Sequence, residues 1–340
     1  MSHRVAICGI SGLVHCDHSF FRGALCVYLF RVLMKKFLVR VLVAFLLIGM
    51  ALGVALFFIP NNKIPDNSLY ASIDKHQRLS SLCSPKVILV GGSNLPFGVK
   101  SQSIEDAVGL PVVNMGLHAG LGMDFILSEV EKDIHEGDVV IVSLEYHHFL
   151  SRSMYHGEDV LAALLFDVNR DCLQYVRFTH WLALMPNIGL YASKKIIDIS
   201  SKTVDEFEEL FTRESFNVYG DEVAHYGLPS TVSSGTKPAL SHGVYHKAVN
   251  RLASFAQLVK SRNAKFVLVA CPYPEHQYQL DSLAISEIVA SVESAGLEFM
   301  IKPKDCVYPD SLMFNSYFHL TEKGAEMRTE KLIEVLEQCH

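Results

Sequence analysis

Between Val41 and Ile59 the chain carries no charged residue, and Pro60 ends the run. As a helix rising about 1.5 Å per residue, such a stretch just crosses a bilayer core of about 30 Å. A soluble core helix of this length would show polar residues on its outer side. A cleaved signal peptide would offer small residues near its end, where the bulky Leu56, Phe57, Phe58 and Ile59 stand instead. An uncleaved anchor over residues 37–60 is therefore expected. Arg31, Lys35, Lys36 and Arg40 precede the run and only Lys63 follows closely. The positive-inside bias then leaves the N-terminus in the cytoplasm and the chain after Asn61 outside it, on a single pass through a bacterial inner membrane. Met34-Lys35-Lys36-Phe37 also looks like a bacterial start, so residues 1–36 read as a short cytoplasmic segment or a start-site extension. A weak amphipathic segment over Phe20–Leu33 is the alternative.

The rest of the 340 residues can hold one large α/β domain or two compact ones. A net charge of −6, with no aromatic-interleaved basic stripe and no zinc-knuckle spacing, excludes a nucleic-acid partner from the expectations. The eight cysteines are scattered without a C-x-x-C pair. In an oxidising compartment the last five, Cys83, Cys172, Cys271, Cys306 and Cys339, could pair; otherwise they are small buried apolar side chains.

Residues 61–84 are polar and mixed, and read as a connector to a domain over 85–340. Short β-branched runs follow at α/β spacing: Lys86–Val90, Pro111–Asn114, Asp138–Leu144, Lys265–Ala270 and Leu297–Ile301. Strands apolar throughout belong to a parallel sheet covered on both faces, and such sheets bind ligands at their carboxyl ends. Helices are expected over Ser101–Val108, with Ser103 and Asp106 in capping-box-like spacing, and over Phe125–His135, Ala248–Arg262 and Leu283–Ala295. A final helix capped by Thr321 should run to Glu337. The fold class is thus a three-layer, doubly wound (flavodoxin-like) parallel sheet preceded by one transmembrane helix. The interval of about 150–238 breaks the α/β rhythm and reads as an inserted helical cap. Its apolar stretches Val160–Phe166 and Phe178–Leu190 are either buried in the domain or turned to a membrane surface or membrane partner. Asp205–Glu209 reads as a solvated helix face.

Three places could carry chemistry. Gly91-Gly92-Ser93-Asn94 follows a buried strand, so Ser93 is presented at the sheet edge on a sharp turn. Asn114-Met115-Gly116-Leu117-His118 follows the second strand, where Gly116 can offer an unobstructed N–H to a developing oxyanion. Near the C-terminus, Asn315-Ser316-Tyr317-Phe318-His319 places His319 just before a capped helix, a suitable place for a general base. Glu145, His147 and His148 are titratable, but neighbouring residues of a strand face opposite ways, so no metal is expected there; no cofactor motif is present either. Cys271 follows the fourth strand without a local histidine partner.

In this order and spacing the three places resemble the SGNH/GDSL-like hydrolase superfamily, over roughly Lys86 to the end with the insert outside. The resemblance implies a nucleophile at Ser93, an oxyanion donor at Gly116 and a base at His319. Ser215-Phe216-Asn217-Val218-Tyr219-Gly220-Asp221 also resembles a segment of membrane-anchored bacterial members, which act beside membrane-bound O-acyltransferases on cell-surface polymers. The implied partners are an envelope glycan or an acyl donor, with such an acyltransferase alongside. The pattern departs in three places. The first block's aspartate is Gly92. The third block's asparagine is missing from Leu144–His148, so Asn94, Asn114 or His147 would have to stand in. The aspartate three residues before the histidine is Ser316, with Asn315 beside it and Asp305 and Asp310 upstream. The implied activity is a serine esterase or O-acyltransferase on acyl, most simply acetyl, esters. The alternative is a non-catalytic binding or assembly partner on the same fold.

Overall fold

The computed structural model describes residues 18–59, 68–198, 212–233 and 235–338. The chain divides into two compact units, Met1–Val54 and Ala55–His340. The described part of the first unit belongs to one helix, α1 (His18–Phe58), whose last turn lies in the second. Its portion Tyr28–Phe58, with a mean hydropathy of 2.8 over its most apolar window, is long and apolar enough to cross a membrane. The helix runs well N-terminal of residue 37, so residues 18–36 do not form a separate segment, and the Phe20–Leu33 stretch is part of the same helix.

In the second unit, α2 (Ala71–Ser81) precedes β1 (Val87–Gly91), α3 (Ser101–Val108), β2 (Val112–Asn114), α4 (Met123–Ser128) and β3 (Val139–Ser143). The insert contributes α5 (His147–Leu150), α6 (Arg152–His156), α7 (Asp159–Ala163) and α8 (Phe178–Asp198). Then come α9 (His246–Ser261), β4 (Lys265–Val269), β5 (Tyr273–Pro274), α10 (Glu275–Ser294), β6 (Phe299–Ile301), β7 (Val307–Tyr308) and α11 (Glu322–Glu337). Five strands form a parallel sheet in the order β2-β1-β3-β4-β6. β1 and β3 are buried along their whole length, as strands covered on both faces must be. The order reverses after β2. Right-handed crossovers therefore send α3 to one face, where it packs with α11, and α4 and α9 to the other. The reversal falls between β1 and β3, and open α/β sheets bind ligands outside the carboxyl ends of the strands at such a point.

Four expectations change. The connector 61–84 is largely α2, whose Ala71, Ser72, Lys75 and Leu79 recur at helical spacing and are buried; residues 60–67 lie outside the described residues. Helix α4 stops at Ser128 instead of reaching His135, and Glu129 turns into the interior beside His76. There is no Ser103–Asp106 capping box. Asp221, from the end of the insert, accepts the N–H and hydroxyl of Ser101 at 2.7 and 2.6 Å, so α3 is capped from a distant part of the chain. Among the described cysteines, Cys83, Cys172, Cys271 and Cys306 are free thiols; Cys339 lies outside the described residues.

The insert occupies two places. Its helical part packs beside α4, where His180 and Arg177 bond Asp124 and Asn169 bonds Ser72 of α2. From Thr212 onward it becomes a strap. Glu222 N–H donates to Pro96 O at 3.1 Å, Tyr219 O accepts from Asn114 N–H at 2.8 Å, and Thr231 N–H donates to Phe314 O at 2.7 Å. The Asp205–Glu209 run lies outside the described residues.

Candidate active site

The turn after β1 is shaped by two glycines. Gly91 pairs with Ser143 of β3, and a Cβ on it would lie 2.0 Å from Ser143 O. A Cβ on Gly92 would lie 2.4 Å from both carboxylate oxygens of Glu145. Only glycine lets the chain turn this close to the neighbouring strand. The buried carboxylate beneath the turn thus comes from Glu145, and its Oε1 accepts the Asn94 N–H at 3.0 Å.

Asn94 is fully buried and its side chain is held by bonds at both its amide nitrogen and its carbonyl oxygen. Its amide donates to Ser143 O at 3.0 Å, and its Oδ1 accepts from Ser143 Oγ and from Arg328 Nη2, each at 3.0 Å. Arg328 of α11, 1% exposed, also donates to Asn94 O at 2.7 Å and to Ser143 Oγ at 2.8 Å. Asn94 therefore fixes the turn and is not an oxyanion donor. Ser93, between Gly92 and Asn94, is half-buried. Among the described residues neither its hydroxyl nor its amide N–H has a hydrogen-bond partner. Both remain available to a bound molecule.

The second loop is locked in a different way. Asn114 donates to Asp221 Oδ1 at 2.8 Å, while its own Oδ1 accepts the Gly116 N–H at 3.0 Å. Asn114 O and Gly220 O both accept from Lys75. The expected Gly116 donor is thus committed within the loop, and Asn114 holds it there. Two residues on, the exposed His118 accepts the Gly120 N–H at its Nδ1, at 2.9 Å. A neutral His118 must then carry its proton on Nε2. Sequence reasoning passed over this donor, and its only signal was a histidine beside glycines after a strand.

His319 sits where the third loop returns to the sheet edge. Its ring stacks on Phe97, four residues past Ser93, at 4.2 Å between centroids and 10° between planes. Its main-chain neighbour Leu320 donates to Phe97 O at 3.0 Å. Phe318 packs against Tyr146 and His147 after β3 and against Tyr273 after β4, which holds the loop over the carboxyl ends of those strands. The His319 Nδ1–H donates to Asn315 Oδ1 at 2.7 Å, leaving Nε2 as the free lone pair. Asn315, four residues before the histidine, is thus the hydrogen-bond partner of its ring. Ser316 instead closes a turn by accepting the Phe318 N–H at 3.2 Å. Burial, followed by the neighbouring His118 and His225 rings, holds His319 down to about 3. No hydrogen bond joins His319 to Ser93; such bonds often tighten only around substrate.

The remaining candidates have structural partners. His148 is buried and bonds Ala119 O at 2.9 Å, tying the β3 end to the His118 loop. His147 lies against Phe318; Glu145, His147 and His148 are not on a strand as expected, since β3 ends at Ser143 and α5 begins at His147, and His148 Nδ1 lies 3.4 Å from Glu145 Oε2. Cys271 is fully buried, and burial pushes its thiol well up, away from a nucleophilic thiolate.

Neither a protein-family model nor a curated protein matches the chain. Among solved structures it is similar to a protein of Desulfitobacterium hafniense DCB-2 assigned to the G-D-S-L lipolytic family. The match covers 74% of this chain and 99% of that one, at 12% identity and a TM-score of 0.34.

Proposed function

We propose that the domain is an extracytoplasmic serine esterase or O-acyltransferase, held to the membrane by α1 and acting on acyl esters of envelope glycans. In this reading Ser93 Oγ attacks the ester carbonyl while His319 Nε2 takes its proton. The Ser93 N–H and the His118 Nε2–H steady the oxyanion. Collapse expels the alcohol, which recovers the proton from His319, and leaves an acyl-Ser93. Water or a sugar hydroxyl, deprotonated in turn by His319, then takes the acyl group. The observation that carries the reading is the His319 ring, fixed by Asn315 and by Phe97 of the serine's own turn, with Nε2 free. Asn315 accepts from Nδ1 and so selects the base-competent tautomer, the task an aspartate performs in other triads.

A second reading is favoured by the Gly116 N–H, bound to Asn114 and thus lost as an oxyanion donor. On that reading the domain is a non-catalytic binding or assembly partner of a polysaccharide-modification system. Turnover of p-nitrophenyl acetate by the full chain separates the two. The esterase reading expects turnover that disappears in Ser93→Ala and His319→Ala. It also expects His118→Ala to lower kcat by about 10²-fold, as loss of one oxyanion donor does. Activity equal in wild type and Ser93→Ala would favour the binding reading.

A further inference from the structure

Helix α8 has two apolar faces and only one of them is used. His180, Leu184, Ile188 and Tyr191 are buried against the domain. Turned away from them, Phe178 is 90% exposed, Leu182 82%, Met185 59% and Ile196 42%, while Leu190 and Ile197, also exposed, lie further round the helix. At 100° per residue the first four fall within one narrow stripe, with Gly189 between them. From Phe178 to Ser193 the helix holds no Asp, Glu, Lys or Arg. An outer helix face in water is normally charged, and an exposed apolar stripe marks a docking surface.

The chain indicates what covers it. Lys195, in the last turn of α8 and 4% exposed, donates to Leu56 O at 3.1 Å and pairs with Asp167 at 2.8 Å. Leu56 O belongs to the last turn of α1, where a helix leaves carbonyls without intrahelical partners. The end of the apolar span is thus capped by α8 itself. Phe57 packs edge-on to Phe166, at 5.5 Å, in the same corner. The point at which the chain would leave the bilayer is therefore the point at which α8 ends.

We infer that α8 lies in the membrane–water interface, with the Phe178–Leu182–Met185–Ile196 stripe inserted among lipid acyl chains. This rests on α1 being a membrane anchor. Insertion along the stripe would hold the domain flat on the membrane, close to a membrane-embedded acyl donor or a lipid-linked acceptor. The two lysines of α8 are already paired, Lys195 with Asp167 and Lys194 with Asp159, so the attachment is apolar rather than ionic. It should be as strong on phosphatidylcholine as on anionic lipid, and insensitive to salt.

The chain's single tryptophan, Trp181, lies on α8 beside this stripe and reports on it directly. The full chain is reconstituted into phosphatidylcholine vesicles, recovered by flotation, and its fluorescence measured with lipids brominated near either end of the acyl chain. The inference expects flotation, loss of Trp181 emission with bromination near the headgroup, less loss with deep bromination, and little effect of aqueous iodide. In Leu182→Asp the bromolipid quenching should fall and iodide quenching rise, while flotation persists. Flotation with quenching by iodide alone would overturn the inference and leave the anchor in place. Flotation with quenching by neither agent would mean that protein covers the stripe, which also overturns it. Failure to float would remove the anchor and this inference together.

Discussion

Arg328, on the last helix, donates to the carbonyl of Asn94, the residue after Ser93, at 2.7 Å. Its second amino group reaches both the Asn94 side chain and Ser143 of β3. One guanidinium thus joins the serine turn, the central strand and α11. Its partners are neutral, and the nearby carboxylate of Glu145 is linked to it only through Asn94. Arg328→Ala should leave buried acceptors without donors and cost about 3 kcal/mol of stability in a denaturant titration. Arg328→Lys should recover little of it, because a single ammonium group cannot reproduce the planar fork.

At Gly92 the missing side chain matters as much as the present ones do elsewhere. A Cβ there would meet the Glu145 carboxylate at 2.4 Å. Gly92→Ala should cost about 1–3 kcal/mol, the usual penalty of overpacking. Combining it with Glu145→Ala should give less than the sum of the two losses, because the obstructing group is gone. Strict additivity would show that the carboxylate does not set the turn.

With His319 held down to about 3, its neutral form persists through the whole mildly acidic range. The kcat/KM profile should therefore lack the usual acid limb near neutrality and stay level to below pH 5. Asn315→Asp would place a carboxylate on Nδ1 and favour the imidazolium. The acid limb should then move to higher pH. A limb already near pH 6.5 in the wild type would show that burial does not hold the His319 imidazole down.

The same physics governs stability. Burial lowers His76 and His147, takes His156 down to about 4 and, aided by the nearby rings, His319 to about 3. Between the unfolded value near 6.5 and these folded values the unfolded chain binds more protons, so stability falls as pH drops through that window. Glu129, pushed up to about 8 by burial, works in the opposite sense between its ordinary value and 8. With five lowered histidines, His118 among them, against Glu129 and the likewise raised Asp221, urea titrations at pH 6.5 and 4.5 should show a lower midpoint at the lower pH.

The sheet was readable because its strands are apolar throughout and end in Gly91-Gly92 or Asn114. Thr321 declared the last helix because capping is local, and its hydroxyl does accept the Gly324 N–H at 3.4 Å. What escaped notice depends on residues far apart in the chain. Asp221 caps α3 from 120 positions away, and Arg328 reaches the serine turn across 234. No local pattern announces either contact. Lys75 and Arg78 made α2 look like a polar connector. Yet Lys75 is buried, its ammonium spent on two backbone carbonyls, and burial takes it down to about 7. In the site, the order of Ser93, the second loop and His319 was legible, whereas the use of Gly116 and the choice of Asn315 over Ser316 depended on loop geometry.

The central claim is that Ser93 is a nucleophile activated by His319. The most direct test treats the folded full chain with a fluorophosphonate, which traps activated serines, and maps the adduct by mass spectrometry. The account predicts one phosphonylated residue, Ser93, no adduct in Ser93→Ala, and much slower labelling in His319→Ala. A folded protein that stays unlabelled, or that is labelled equally in all three forms, would contradict it.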